Sequence, residues 1–200
     1  MRRLLRLLAL TALAGVPAAL VASSAVLAQP AAVAPGTAID IGPAVGAHIP
    51  TLSAVDSTGT ARDFASLRGK KGVVLVFFRS ARWCPFCQHQ LIDLKSVQAP
   101  LAARGYTLAA LSYDKPEELT KFAEKQDVKY TLLSDDGSKM IDAFKLRDPQ
   151  YPAGNFAYGV PKPAIFVLDN NGVVRAKLAE EGYRVRPDNA AILGAVDSVH

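Results

Sequence analysis

Apolar and polar positions follow two rhythms along the chain, and each predicts a different kind of element. Val73 to Phe78 is six apolar residues in succession, the pattern of a strand buried on both faces. The rhythm then changes. Cys87, Leu91, Leu94, Val97 and Leu101 recur at helical spacing, which predicts a helix starting at Cys84 or Pro85 and ending at Arg104-Gly105, with Pro100 bending its last turn. Thr107 to Ser112 reads as the next buried strand. Asp114 and Glu117 are placed to cap a short helix that turns Leu119, Phe122 and Ala123 inward. Tyr130 to Ser134 is a strand, and Ser138 to Leu146 a helix with Met140, Ile141 and Phe144 on its apolar side. Ala164 to Leu168 is a strand that Asp169-Asn170-Asn171-Gly172 turns into Val173 to Leu178. Asp188 caps a last helix carrying Ile192, Leu193, Val196 and Val199. Upstream, His48 to Arg68 holds short strand-like pieces about the turn Asp56-Ser57-Thr58-Gly59, and Gly69 to Gly72 is a polar break. Strands alternating with helices, then a hairpin and a helix, predict a three-layer α/β sandwich, because buried parallel strands need helices on both faces.

The ends of the chain follow other rules. Arg2, Arg3 and Arg6 precede an uncharged stretch, Leu7 to Leu27, rich in Leu, Ala and Val and followed by Ala28-Gln29-Pro30. Residues 1–28 therefore read as a secretory signal peptide cleaved after Ala28. The alternative is an uncleaved anchor, since the stretch is long enough to span a bilayer, although Gly15, Pro17, Ser23 and Ser24 weaken it as a helix. Residues 29–44 are rich in Ala, Pro and Gly and read as a flexible linker, which leaves 45–200 as one domain. Loss of the leader removes three arginines and no acid, so the net charge of +5 falls to +2. A nucleic-acid partner then has no support. Export implies an oxidising compartment, the periplasm or the exterior, with a membrane contact only if the leader stays.

The chemistry lies in Trp83-Cys84-Pro85-Phe86-Cys87, which holds both cysteines of the chain. A thiolate attacks disulfides and peroxides, and a free cysteine titrates near ~8.5, so few are ionised at neutral pH. A helix N-terminus presents unpaired N–H groups and partial positive charge, which favours the anion. Cys84 stands at that cap, Cys87 lies one turn on, and Pro85 fixes the backbone between them. The expectation is a reactive Cys84 of depressed pKa and a more buried Cys87. An inert bridge or a zinc half-site are the alternatives. Zinc needs about four ligands, whereas the histidines are His48, His89 and His200, with His89 facing away from Cys87. No metal and no cofactor are expected. Trp83 either shields the sulfur pair or is a core aromatic. Arg147 to Pro161, with Tyr151, Phe156 and Tyr158, is a long aperiodic loop, either a substrate lip or an insertion packing its own rings. Tyr183, Arg184, Arg186 and Pro187 read as surface structure before the last helix.

The run Phe77 to Cys87, with Ser112-Tyr113-Asp114 and Gly159 to Asp169 downstream, resembles the thioredoxin superfamily, and within it the peroxiredoxin-like branch of the alkyl hydroperoxide reductase/thiol-specific antioxidant family. The resemblance covers about residues 45–199 and implies a thioredoxin-like α/β/α sandwich on a mixed sheet. It implies a cis-proline facing the cysteines, matched by Pro163, with Pro161 second, and it sets the Lys162 backbone beside the sulfurs to pair with an extended substrate. The chain also departs from the family. Peroxiredoxins carry proline seven and threonine three residues before the attacking cysteine. Counting back from Cys84 finds Phe77 and Ala81, and from Cys87, Ser80 and Cys84. Their partner arginine is replaced near its place by Lys162, with Arg175 the next arginine downstream. A copper-delivering role is disfavoured, since no histidine occurs between 90 and 199.

Three functions follow. The first is an exported thiol–disulfide oxidoreductase of antioxidant type, with Cys84 attacking, Cys87 resolving, and Trp83, Pro85, Lys162 and Pro163 supporting. The second is a thiol-dependent hydroperoxide reductase that passes through a sulfenic acid. The third is a non-catalytic binding module with a static disulfide. The partner is correspondingly a redox protein, as thiol donor or disulfide substrate, or a small hydroperoxide.

Overall fold

The computed structural model describes residues 37–199. A seven-stranded mixed sheet runs through it in the order β2-β1-β5-β4-β3-β6-β7. The apolar run forms its middle as β3 (Gly72–Phe77), every residue of which is buried. β3 pairs in parallel with β4 (Tyr106–Ser112) and antiparallel with β6 (Ala164–Asp169). β4 pairs in parallel with β5 (Thr131–Ser134), which meets the hairpin of β1 (Ser53–Asp56) and β2 (Ala61–Asp63). β7 (Val174–Leu178) closes the other edge against β6.

Alternation along β3 splits its side chains between two cores. Val74 and Val76, with Phe78 beyond the strand end, join one core. It is closed by α2 (Pro85–Asp93), α3 (Gln98–Ala103), α4 (Pro116–Gln126) and α6 (Asn189–Asp197), through Leu91, Leu101, Leu119, Phe122, Ile192 and Val196. Val73, Leu75 and Phe77 join the other, under α1 (Phe64–Leu67) and α5 (Lys139–Ala143), where the Phe77 ring lies 4.8 Å from that of Phe144 and 5.9 Å from that of Phe166. Burying each such side chain is worth ~1.5–3 kcal/mol. The three layers expected from the periodicity are present.

Three local readings change. The helix expected from Cys84 to Arg104 is interrupted: α2 tightens into a 3-10 turn over Leu94–Val97 before α3 resumes. Pro100 has no N–H to give to a carbonyl four residues back, so the break leaves it in the first turn of α3, where none is needed. The apolar stripe survives the break, with Leu94 and Val97 buried. The second change concerns Gly72, which is the first residue of β3 and no polar break; a Cβ there would stand 1.8 Å from the Leu168 carbonyl oxygen. Third, residues 37–44 belong to the domain and are not a tether. Ile39 N–H donates to the Ala179 carbonyl at 3.0 Å, Glu181 N–H to that of Thr37 at 2.7 Å, and Ile39 and Ile41 pack on the second core. The alternation Ile39-Asp40-Ile41 is a strand-like signal hidden in an Ala/Pro/Gly-rich composition. The expected leader and the linker up to residue 36 lie outside the described residues. Among the described residues no helix is long and apolar enough to cross a membrane.

Candidate active site

β3 delivers the chain to the cysteines, and Asp114 shapes the last few residues on the way. Asp114 is not a helix cap; Lys115 holds that position, with its N–H on the Glu118 carboxylate at 3.3 Å. Asp114 is buried instead. It accepts from Ser80 Oγ at 2.7 Å, Ala81 N–H at 2.6 Å and Ser112 Oγ at 3.0 Å. Ser80 Oγ in turn accepts from Arg82 N–H at 3.0 Å and Trp83 N–H at 3.3 Å. Burial pushes the Asp114 carboxyl above its ordinary range, opposed by these hydrogen bonds. One buried acceptor therefore sets the bend from which Cys84 emerges. Gln88 reaches back from α2 to the Ala81 carbonyl at 2.7 Å.

Cys84 is the N-cap of α2, in extended conformation, and its sulfur accepts the Cys87 N–H at 3.3 Å. Pro85 follows at the first helical position, where a missing N–H costs nothing. Cys84 and Cys87 are joined in a disulfide, with Cα atoms 5.3 Å apart. Both are buried, Cys84 at 1% and Cys87 at 0% exposure, so the expected contrast between an open first cysteine and a covered second one is absent. Trp83 packs against the core that holds both sulfurs, and aromatic contacts continue outward from the motif. Trp83 is half-buried, donates from Nε1 to Tyr113 Oη at 2.9 Å, and meets the Phe156 ring at 5.3 Å. Phe86 meets Tyr183 at 5.9 Å.

Two arginines complete the site. Arg79 is 3% exposed; its Nη2 donates to Tyr151 Oη at 2.6 Å, and its guanidinium lies 4.2 Å from the Tyr183 ring centre and 5.0 Å from those of Trp83 and Tyr151. Arg186 comes from the segment between β7 and α6, with Nη1 on the Val185 carbonyl at 2.8 Å and Nη2 3.7 Å from Cys87 Sγ. Burial, with the Arg79 charge adding to it and Glu180 opposing, lowers Arg186 to about 10, so it remains a cation at neutral pH. The Nε atoms of both arginines are buried without a hydrogen-bond partner.

The structure thus brings Trp83, Cys84, Pro85 and Cys87 together and corrects the reading of the proline loop. No cis peptide bond occurs among the described residues, so Pro163 is trans, the intrinsically favoured isomer. The Lys162 N–H donates to the Leu146 carbonyl at 2.7 Å and is not free to pair with a substrate. Arg147 bridges Pro161 at the base of the long loop, whose Tyr151 and Phe156 reach Arg79 and Trp83 and not merely each other. Arg186, read as surface structure, touches the sulfur pair. Nothing in its sequence surroundings announces this. Arg79 did carry a signal, as a charge directly after the buried run ending in Phe78. Among the described residues no group of three or more His, Cys, Asp or Glu is gathered to hold a metal.

A Cys-x-x-Cys disulfide at the start of a helix that leaves the central strand of such a sheet defines a thioredoxin-fold, peroxiredoxin-like redoxin, a thiol-based oxidoreductase. The profile described as "AhpC/TSA family" matches residues 45–177, and the chain belongs to that family. Peroxiredoxin Bcp of Escherichia coli is 29% identical over 125 residues, 62% of this chain and 78% of its own. Among solved structures, peroxidoxin BcpB from Mycobacterium tuberculosis superposes with a TM-score of 0.67 at 22% identity, covering 80% of this chain and 99% of its own. Thiol peroxidase from Chromobacterium violaceum does so with a TM-score of 0.65 at 20% identity, covering 82% and 91%.

Proposed function

We propose that the protein is an exported, thiol-dependent hydroperoxide reductase in which Cys87 attacks the peroxide and Cys84 resolves. The observation that carries this is the Arg186 guanidinium at 3.7 Å from Cys87 Sγ in a chain of the AhpC/TSA family. A full positive charge beside Cys87 outweighs the half charge that the helix end offers Cys84. The Cys87 thiolate takes the terminal oxygen of the hydroperoxide; the O–O bond breaks, sulfur is oxidised to sulfenic acid, and the departing oxygen is protonated to an alcohol or water. The Cys84 thiol then displaces water from the sulfenic acid and forms the disulfide. Two thiols of a donor restore the dithiol and leave as a disulfide. The leader directs the enzyme to the periplasm or beyond, where that donor must be an exported redox partner. In stopped flow, the reduced protein should consume hydrogen peroxide at least ~100-fold faster than a free thiol. Dimedone should label Cys84→Ser after peroxide and leave Cys87→Ser unlabelled. A free-thiol rate would exclude the reading.

A second reading, disulfide reduction with Cys84 attacking a protein partner, is favoured by one observation: Cys84 occupies the place of the threonine that peroxiredoxins carry three residues before the attacking cysteine. Rapid insulin reduction with negligible peroxide turnover would establish it.

A further inference from the structure

Trp83 and Phe86 bracket Cys84 in the chain, and each is met by a different distant segment. Phe156, from the loop 147–161, meets Trp83 at 5.3 Å, and Tyr183, from the segment between β7 and α6, meets Phe86 at 5.9 Å. Both segments are fixed at their ends. Arg147 bridges Pro161 at the base of the loop, Ala179 and Glu181 are bonded to Ile39 and Thr37, and Asp188 caps α6 by accepting from the Ala191 N–H at 2.7 Å. Between those ends the two segments converge on Arg79. Its Nη2 donates to Tyr151 Oη at 2.6 Å, and its guanidinium also hydrogen-bonds the Tyr183 phenol. The rings of Trp83, Tyr151 and Tyr183 stand around it at 5.0, 5.0 and 4.2 Å. Arg79 itself belongs to the sheet: Phe78, just before it, donates its N–H to the Leu111 carbonyl at 3.0 Å. Arg79 is 3% exposed, whereas Phe156 is 73% exposed. A buried cation is costly unless polar groups and ring faces replace its water, and here the two segments and Trp83 supply them. The desolvated charge therefore ties the segments to the sheet and to each other.

We infer that Arg79 is a positioning residue that clamps the loop 147–161 to the segment between β7 and α6, and thereby sets how widely the approach to Cys84 and Cys87 opens. It acts through Tyr151 and Tyr183, not on the sulfurs. A planar guanidinium can engage two hydroxyls from two segments and lie against their rings at once, which an ammonium point charge cannot. The loop yields first when the clamp is lost, because Phe156 has little other packing to hold it. In the peroxide step, which rests on the function proposed above, the clamp makes Arg79 a determinant of substrate size. Hydrogen peroxide passes a narrow approach, and a hydroperoxide with a bulky organic group is held back until the segments part.

The test has three readouts: maleimide alkylation of the reduced cysteines, acrylamide quenching of Trp83, which is the only tryptophan of the chain, and the ratio of kcat/KM for cumene hydroperoxide to that for hydrogen peroxide. Arg79→Met keeps an unbranched apolar stem and removes the charge and the donors. It should speed alkylation about tenfold, as a local opening does when it loses a strong set of contacts. Quenching of Trp83 should rise, and the ratio for the bulky over the small hydroperoxide should increase several-fold. Arg79→Lys, which keeps the charge without the fork, should fall between the parent and Arg79→Met. Tyr151→Phe should speed alkylation in the parent and add nothing in the Arg79→Met background, because its effect runs through Arg79. Asp56→Asn, at the turn between β1 and β2, loses stability without touching the clamp and should alkylate as the parent does. A cooperatively folded Arg79→Met with parent-like alkylation, quenching and ratio overturns the inference. If Arg79→Met does not fold, parent-like alkylation in Tyr151→Phe combined with Tyr183→Phe, which keeps the rings, overturns it equally. Faster alkylation in the variants of a protein that turns over no peroxide would remove the proposed function and the size selection with it, and leave the clamp standing.

Discussion

Asp114 accepts a hydrogen bond from Ser80 Oγ at 2.7 Å, across 34 residues of chain, and in doing so ties the end of β4 to the bend that carries Cys84. Asp114→Ala would leave the Ser80 hydroxyl, the Ala81 N–H and the Ser112 hydroxyl without their acceptor in a buried site. Each orphaned buried donor costs about 1–3 kcal/mol, so the variant should lose ~3 kcal/mol or more. The loss should appear in urea unfolding together with a changed Cys84–Cys87 reduction potential. A loss of stability with an unchanged potential would mean that the bond does not position the cysteines.

The aromatic cover should control access to the sulfurs. Phe156 is 73% exposed and touches Trp83, so Phe156→Ala should change stability by under ~1 kcal/mol. It should nevertheless speed alkylation of the reduced cysteines by a maleimide several-fold. Tyr151→Phe removes one hydrogen-bond acceptor of buried Arg79, which Tyr183 also engages, and should cost about 1–3 kcal/mol in chemical denaturation. Parent-like alkylation in Phe156→Ala would show that the loop is not the barrier.

Asp56 predicts the acid limb of the stability curve. Burial pushes its carboxyl up, but hydrogen bonds from the Thr58 hydroxyl, Arg62 and the Thr60 and Thr58 amides together outweigh this and bring it from 3.8 to about 2. The native carboxyl thus binds fewer protons than the unfolded one over that interval. Its stabilisation is complete above about pH 4 and disappears as the pH falls toward 2. Asp56→Asn should cost about 2 kcal/mol at neutral pH and almost nothing near pH 2. Urea titrations at several pH values check this; a constant difference between parent and variant would contradict it.

Gly72 is required by the close approach of β3 to β6. With its Cβ 1.8 Å from a backbone oxygen, Gly72→Ala must push the two central strands apart. The expected loss is about 3 kcal/mol or more. Gly59→Ala, at positive φ but facing open space, meets only the local backbone penalty of about 1–2 kcal/mol. Equal midpoints in urea for the two variants would refute the crowding argument.

The sequence by itself determined the three-layer α/β class, most of the succession of strands and helices, and the Cys-x-x-Cys pair at the junction of a buried strand and a helix. Burial on both faces shows as a continuous apolar run, and burial on one face of a helix as a stripe. All are local patterns, and each is legible from neighbours in the chain. Only the tertiary structure decided what surrounds the sulfurs. Arg186 lies 99 residues beyond Cys87, Tyr151 72 beyond Arg79, and Asp114 34 beyond Ser80. A charge that acts through space has no period along the chain, so a buried arginine or an internal acceptor looks the same in sequence as a surface arginine or a helix cap. The expected cis-proline differs from the structure for the same reason: the isomer of the Lys162–Pro163 bond depends on what the folded loop packs against, which leaves no local pattern in the chain.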